Sequence, residues 1–238
     1  MPINTKIRTD EPELMDDFLM EGKELQEALD KIAQINQFLG GNKLTLQGLQ
    51  FLLLNLDKKN EYTIVDVGCG NGDMLRYIED FGKNNGYTFK LIGVDANDFT
   101  IAYAKKLSAN YTNINYLCED IFDKSFDALQ YDIVLCTLTL HHFKEDEILN
   151  LMQIFYKNSR VGIVINDLHR SIIAYRLFQV ICKIFTLNRM SREDGLVSIL
   201  RGFKKKELIA FSKLLNFKKY SIQWKWAFRY QWIIRKSI

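Results

Sequence analysis

Few side chains in this chain offer chemistry near neutral pH. His141, His142 and His169 are its only imidazoles, groups that exchange a proton in that range. They follow two short apolar runs, residues 131–136 before the first pair and 160–165 before the third. If those runs are strands of an open α/β sheet, all three histidines fall just past carboxyl ends, the edge where such sheets bind ligands. General-base work is the expected role. A second constellation is YTIVDVGCGNGD over residues 62–73. Gly68, Gly70 and Gly72 turn a β-branched strand into a helix, and a turn without β-carbons lets a ligand lie on the backbone. The helix start adds unpaired N–H groups. The dinucleotide fingerprint G-x-G-x-x-G requires glycine where Asp73 stands. With Asp66 before the turn as well, a pyrophosphate would meet like charge, and a ligand carrying cationic groups suits the site better.

The elements that must position these residues read as repeated strand–helix units. Residues 1–12 read as a flexible arm. From 13 to 39, Leu14, Phe18, Leu25, Leu29, Ile32, Ile35, Phe38 and Leu39 recur at three and four, predicting one amphipathic helix that Gly40-Gly41 ends. The acids Asp10-Glu11 and Asp16-Asp17 suit its start. A second helix over 44–56 follows. Residues 1–58 therefore form a helical lid or brace before an α/β domain over 59–238. Strands are expected at 62–67, 88–94, 114–118, 131–136 and 160–165, and helices at 71–83, 97–107, 145–156, 171–185 and 204–215. Residues 218–224 and 228–234 alternate and carry aromatics, as an antiparallel pair does. The expected class is α/β: a Rossmann-like, mostly parallel sheet with helices on both faces, an antiparallel C-terminal strand pair and an N-terminal helical extension.

VDVGCGNGD, then GVDAN, LCEDIF and CTLTLHHF, in this order over residues 62–170, resemble the class I methyltransferases that use S-adenosylmethionine (SAM). The last motif is similar to the branch acting on small molecules, including ubiquinone and menaquinone precursors and polyketide phenols. ELMDD near the N-terminus and the tract from NDLHR to DGLVS also look like a smaller branch, for which phenolic or polyketide-like acceptors are expected. The resemblance implies SAM as cofactor and S-adenosylhomocysteine (SAH) as product. It places cofactor contacts at Asp66, Gly68, Cys69, Gly70, Asn71, Asp95, Ala96, Asp120, Ile121 and Thr137. Asp95 closes the second strand about twenty residues past the glycine turn, where a carboxylate can accept both ribose hydroxyls; capping the next helix is its plainer role. Asp120 would accept from the adenine amine, with Ile121 against the ring.

No proline stands in residues 137–143, which departs from the Asn/Asp-Pro-Pro-aromatic loop of amide and nucleobase nitrogen methylation and from the Pro-Cys pair of pyrimidine carbon methylation. Asp167 has no evident carboxylate partner for metal-dependent catechol methylation. Oxygen or carbon acceptors remain, with His141, His142 and His169 as candidate bases. Adjacent histidines are expected to point apart, leaving one structural or cofactor-facing, and His169 can equally cap a helix start. Zinc through the histidines and Cys136 finds no ligand spacing, so no metal is expected. Arg170, Arg176 and Arg192 are candidates for an acidic group on the acceptor.

A chain of 238 residues, 47% hydrophobic and 26% charged, can bury a full core. Its four cysteines form no CxxC pair and read as reduced thiols of a cytoplasmic protein. No secretory leader and no membrane span is expected. The greasiest stretch, 172–187, reads as a helix packed on the domain or covering an apolar substrate site. Eleven bases follow position 200 against the single acid Glu207. That tract reads most plainly as a solvated face balancing the acidic N-terminal half; as a footprint for an anionic partner it leaves an RNA-modifying methyltransferase as the alternative, with a non-catalytic SAM-binding protein beside it. The primary expectation is a small-molecule acceptor without nucleic acid, and the leading helices could form a homodimer surface.

Overall fold

Seven strands frame the molecule, and the computed structural model that shows them describes residues 3–236. In chain order come α1 (Lys23–Phe38), α2 (Gly41–Leu53), β1 (Glu61–Val67), α3 (Asp73–Asn85), β2 (Thr88–Asp95), α4 (Asp98–Leu107), β3 (Ile114–Cys118), α5 (Lys124–Ala128) and β4 (Tyr131–Thr137). Then follow α6 (Glu145–Asn158), β5 (Ser159–Leu168), α7 (Ile172–Ile184), α8 (Arg189–Arg201), α9 (Lys205–Leu214), β6 (Tyr220–Lys225) and β7 (Arg229–Arg235). The sheet order is β3-β2-β1-β4-β5-β7-β6. Strands β1 to β5 run parallel, while β7 pairs antiparallel with both β5 and β6. The expected α/β class with its antiparallel closing pair is what the chain adopts.

The apolar strands read as near-continuous runs because helices cover both faces of the sheet. Val65, Val67, Val134, Cys136, Ile163 and Ile165 alternate onto one face, against Ile148, Leu151 and Phe155 of α6 and Leu208 and Phe211 of α9. Ile64, Ile133, Leu135 and Val164 take the other, against Leu49 and Leu52 of α2, Leu75 and Ile78 of α3, and Ile101 of α4. Side chains of successive strand residues point to opposite faces, so this division follows from the pleat. β1 sits between β2 and β4, and the chain reverses its direction of winding there. That is the switch point where the carboxyl ends of parallel strands open a crevice.

Four sequence expectations are corrected. The single helix over 13–39 is broken: Leu14–Asp16 forms one 3-10 turn, and α1 starts only at Lys23 after Gly22 at φ +93°. The apolar period misleads because Leu14 and Phe18 are exposed, not core-facing. The arm over 1–12 is pinned where it is described. Arg170 Nε donates to Thr5 O at 3.2 Å, and Arg8 donates to Arg201 O, His141 O and Phe143 O at 2.8–2.9 Å. The basic tract is not one solvated face, since Arg201 and Arg229 are buried and Lys236 Nζ donates to Tyr156 O at 2.8 Å. The second helix begins at Gly41, three residues earlier than its apolar pattern suggested. Within residues 172–187, Ile172–Ile184 form the helix α7, whose Ala174, Leu177, Phe178 and Ile181 line a cavity.

Candidate functional site

The cavity opens at the carboxyl ends of β1 and β4 and measures about 1120 Å³. A small-molecule site occupies roughly 300–1,000 Å³, so two ligands can be accommodated side by side. Its wall includes all ten residues expected to contact cofactor and all three candidate bases.

On one side stands the glycine turn. Gly68 N and Cys69 N donate to Val94 O, tying β1 to β2, and Gly70 N donates to Asp95 Oδ2 at 3.1 Å. Gly68, Gly70 and Gly72 all take positive φ, a conformation that favours glycine. Their reasons differ. A β-carbon on Gly68 would lie 2.2 Å from Thr139 Oγ1, and one on Gly72 would lie 2.0 Å from Tyr116 Oη. Those two positions are closed by protein atoms, not held open for a ligand as the sequence suggested. At Gly70 the nearest atom would be Leu29 Cδ2 at 3.7 Å, so this is the position where the backbone faces open space.

Around the turn, Asn71 Oδ1 accepts from Asp73 N, and its amide donates to Asp30. The Cys69 side chain is buried in the core under α3, leaving its backbone to the cavity. Asp95 Oδ1 accepts from Asn97 N at 3.1 Å, whereas the cap of α4 is the Asn97 side chain. Burial raises the Asp95 carboxyl above its ordinary range. Ala96 O accepts from Cys118 Sγ, Asp120 Oδ1 accepts from Phe122 N, and Ile121 is buried beside them. Thr137 Oγ1 lies 2.9 Å from Thr45 Oγ1 of α2. Asp66 is fully buried, its Oδ1 has no hydrogen-bond partner among the described residues, and burial together with Asp73 and Asp95 pushes its carboxyl well upward. A cationic group in the cavity fits this set of acceptors. The open glycine and the Asp95 carboxylate fit a nucleoside.

On the other side stand the histidines, carried on the 3-10 turn Leu140–His142 that follows β4. His141 Nδ1 lies 2.7 Å from Asp167 Oδ1, and His142 Nδ1 lies 2.6 Å from Asp16 Oδ1. The two rings do not point apart as adjacency suggested. Their centroids are 4.4 Å apart, and both Nε2 atoms face the Glu13 carboxylate, at 3.6 Å from His141 and 3.8 Å from His142. A 3-10 turn with Leu138 at φ +56° rotates the backbone enough to allow this. His141 is buried, and its Nε2 has no hydrogen-bond partner among the described residues. His169 lies apart: Trp224 Nε1 donates to its Nδ1 at 3.2 Å, and burial lowers its basicity. It does not cap α7, whose N-cap is Ser171.

Sequence reading missed Glu13, Asp16, Asp194 and Arg201 as parts of this site. Burial pushes the Glu13 carboxyl up to about 7. Burial also opposes ionisation of Asp16, but hydrogen bonds from His142 and Arg201 outweigh it and hold that carboxyl low. At Asp167, likewise, the His141 charge and hydrogen bond overcome burial and bring the carboxyl down. The ligand atoms of Glu13, His141 and His142 come within 4.8 Å of one another, a grouping that no sequence spacing announced. Arg201 Nη1 stands 3.5 Å from Glu13 Oε1 and 2.7 Å from Asp16 Oδ2. With that fixed cation on the carboxylates, the cluster reads as two carboxylate–histidine pairs rather than as a metal cage.

Comparison with known proteins agrees with this geometry. Residues 64–162 match the family model described as a methyltransferase domain. The ubiquinone biosynthesis O-methyltransferase of Coxiella burnetii is 32% identical over 85 residues, 35% of this chain and 34% of that protein. The malonyl-[acyl-carrier protein] O-methyltransferase of Acetivibrio thermocellus is 28% identical over 93 residues, 39% of this chain and 31% of that protein. The chain thus spans about a third of the length of these relatives. Among solved structures, the plantazolicin methyltransferase BpumL in complex with SAH aligns with TM-score 0.66 at 18% identity, over 90% of this chain and 96% of that one. Residues 64–162 thus match a methyltransferase domain, and the sheet order and the glycine turn with Asp95 behind it agree with that match.

Proposed function

We propose that this protein transfers a methyl group from SAM to an oxygen of a small phenolic or polyketide-like molecule. The observation that carries the reading is that two carboxylate–histidine pairs, His141–Asp167 and His142–Asp16, share one cavity with the glycine turn and Asp95. SAM supplies an electrophilic methyl on a sulfonium that is already a good leaving group. Gly70, Asp95, Asp120 and Ile121 hold its nucleoside, and Asp66 offers a carboxylate to its cationic part. What the chain must add is position and a place for a proton. Alignment of two bound reactants can supply roughly 7–11 kcal/mol at its upper range. A hydroxyl acceptor also loses a proton as its oxygen is methylated. Asp167 on Nδ1 of His141, and Asp16 on Nδ1 of His142, hold each ring with Nε2 toward the Glu13 carboxylate, itself part of the cavity wall, and stabilise the imidazolium once formed.

Calorimetric titration with SAM and SAH, beside an Asp95→Ala variant checked for folding by circular dichroism, tests the cofactor half. Both ligands should bind, and the variant should weaken them at least about tenfold. Transfer of labelled methyl from SAM to a panel of phenols tests the rest. His141→Gln and His142→Gln should keep SAH affinity, and loss of the true base should slow transfer ~10²–10⁴-fold. No binding of either ligand to folded, ligand-free protein overturns the reading.

A further inference from the structure

The cavity contains one group that neither the cofactor contacts nor the carboxylate–histidine pairs use. Arg229 opens β7 and lines the cavity, yet it is only 3% exposed. Its Nε and Nη1 have no hydrogen-bond partner among the described residues. The acid whose charge acts on it is Asp167, whose oxygens are already taken. Oδ1 receives His141 Nδ1 and Leu168 N, and Oδ2 receives His141 N. Asn36 Oδ1, beside it near Gly41, is likewise buried and unpartnered. A guanidinium cannot shed its proton at neutral pH, so burying one without an anion is unfavourable. Burial brings Arg229 down only to about 10, which leaves it charged. The hairpin that delivers it is itself constrained, with Ala227 at φ +62° and Phe228 at φ +54°, a conformation uncommon for residues with side chains. Ile35, Leu39 and Trp226 are apolar members of the same cavity wall.

We propose that Arg229 is the anchor for a carboxylate on the methyl acceptor, so that the acceptor is an acid whose apolar body fills the space between α1 and α7. This deepens the proposed function and rests on it. A planar guanidinium offers a carboxylate two parallel hydrogen bonds and so sets orientation as well as affinity. In this role Arg229 selects the acceptor and fixes which hydroxyl reaches the histidines. Arg170, Arg176 and Arg192 do not compete for it: Arg170 is paired with Glu207 at 2.5 Å, Arg176 binds Gln179, and Arg192 is exposed.

The test uses the full chain saturated with SAH and two probes, 6-hydroxy-2-naphthoate and its methyl ester. The acid should bind at least about tenfold tighter than the ester. Arg229→Met should erase that preference with SAH affinity kept within about twofold. Without acceptor, the same variant should melt about 2–4 °C higher, because it removes an unpaired buried charge. With SAH bound normally, equal affinity for acid and ester, or no binding of either, overturns the inference. A lower melting point for Arg229→Met also overturns it, by showing a structural role. Failure to bind SAH would instead strike the proposed function.

Discussion

Glu13 shows how a single residue couples the fold to the site. Its carboxyl sits between two imidazoles and the Arg201 guanidinium, and burial still wins, raising it from 4.5 to about 7. A group that binds its proton more tightly when folded contributes stability below its unfolded value, and that contribution disappears as pH rises through its folded value. For Glu13 the window runs from 4.5 to about 7, and the loss is on the order of 3 kcal/mol across it. Glu13→Gln, which imitates the protonated form, should flatten this slope in urea midpoints measured from pH 4.5 to 7.5. A slope that persists unchanged would show that Glu13 is not its source. At this scale the sequence told little. Asp16 read as an acid suited to a helix start and Glu13 drew no reading of its own, because nothing local distinguishes a carboxylate near solvent from one carried under a neighbouring helix.

At the scale of elements, α2 approaches β5 closely. Gly48 makes that approach possible: a β-carbon there would stand 2.5 Å from Val164 Cγ1 and 3.4 Å from Gln231 Nε2. Glycine within an exposed helix is unfavourable by about 1 kcal/mol against alanine, so Gly48→Ala would ordinarily stabilise. Here overpacking outweighs propensity, and a net loss of about 1–3 kcal/mol is expected in chemical denaturation. A gain would mean that Val164 rotates freely and that the contact is looser than it looks. The elements themselves were largely legible in the sequence. Strands β1 to β4 and helices α3, α4 and α6 fall within a few residues of expectation, because each buries a face with its own period. Helix α8 (Arg189–Arg201) had no counterpart among the expected helices, and the helix over 13–39 failed. Its apolar residues kept a helical period, but Gly22 and the pull of α8 on the preceding turn overrode it.

The whole molecule closes on itself at the site. Thr9 N donates to Leu200 O, Arg8 spans His141 and Phe143, and Asp194 of α8 accepts from Leu14 N at 2.7 Å and Met15 N at 3.1 Å. The segment carrying Glu13 and Asp16 is thus held in place by residues almost two hundred positions away. Asp194→Ala should release that hold, lowering stability by about 1–3 kcal/mol. Hydrogen exchange at the Leu14 and Met15 amides should accelerate well before that of β1, β4 or β5. Equal acceleration everywhere would show that the segment is part of the global unfolding unit rather than a separately secured strap.

What the sequence determined by itself is whatever depends on neighbours along the chain. Residues 62–73 had to turn from strand to helix, since alternating glycines permit the left-handed backbone and β-branched residues favour the strand. Asp95 had to end the next strand, and the histidines had to follow β4. Those relations recur at short separations and leave a local trace, which is why the class of fold and the glycine turn could be read. The tertiary structure alone decided the surroundings of the histidines and of Arg229. It set Glu13 against His141 across 128 positions, gave His142 its Asp16, left Arg229 Nε and Nη1 without a hydrogen-bond partner among the described residues, and showed that Gly68 and Gly72 are packed by Thr139 and Tyr116. Such pairings depend on burial and on which distant helix lies overhead. The two-residue and 3.6-residue periods of a chain carry no record of either.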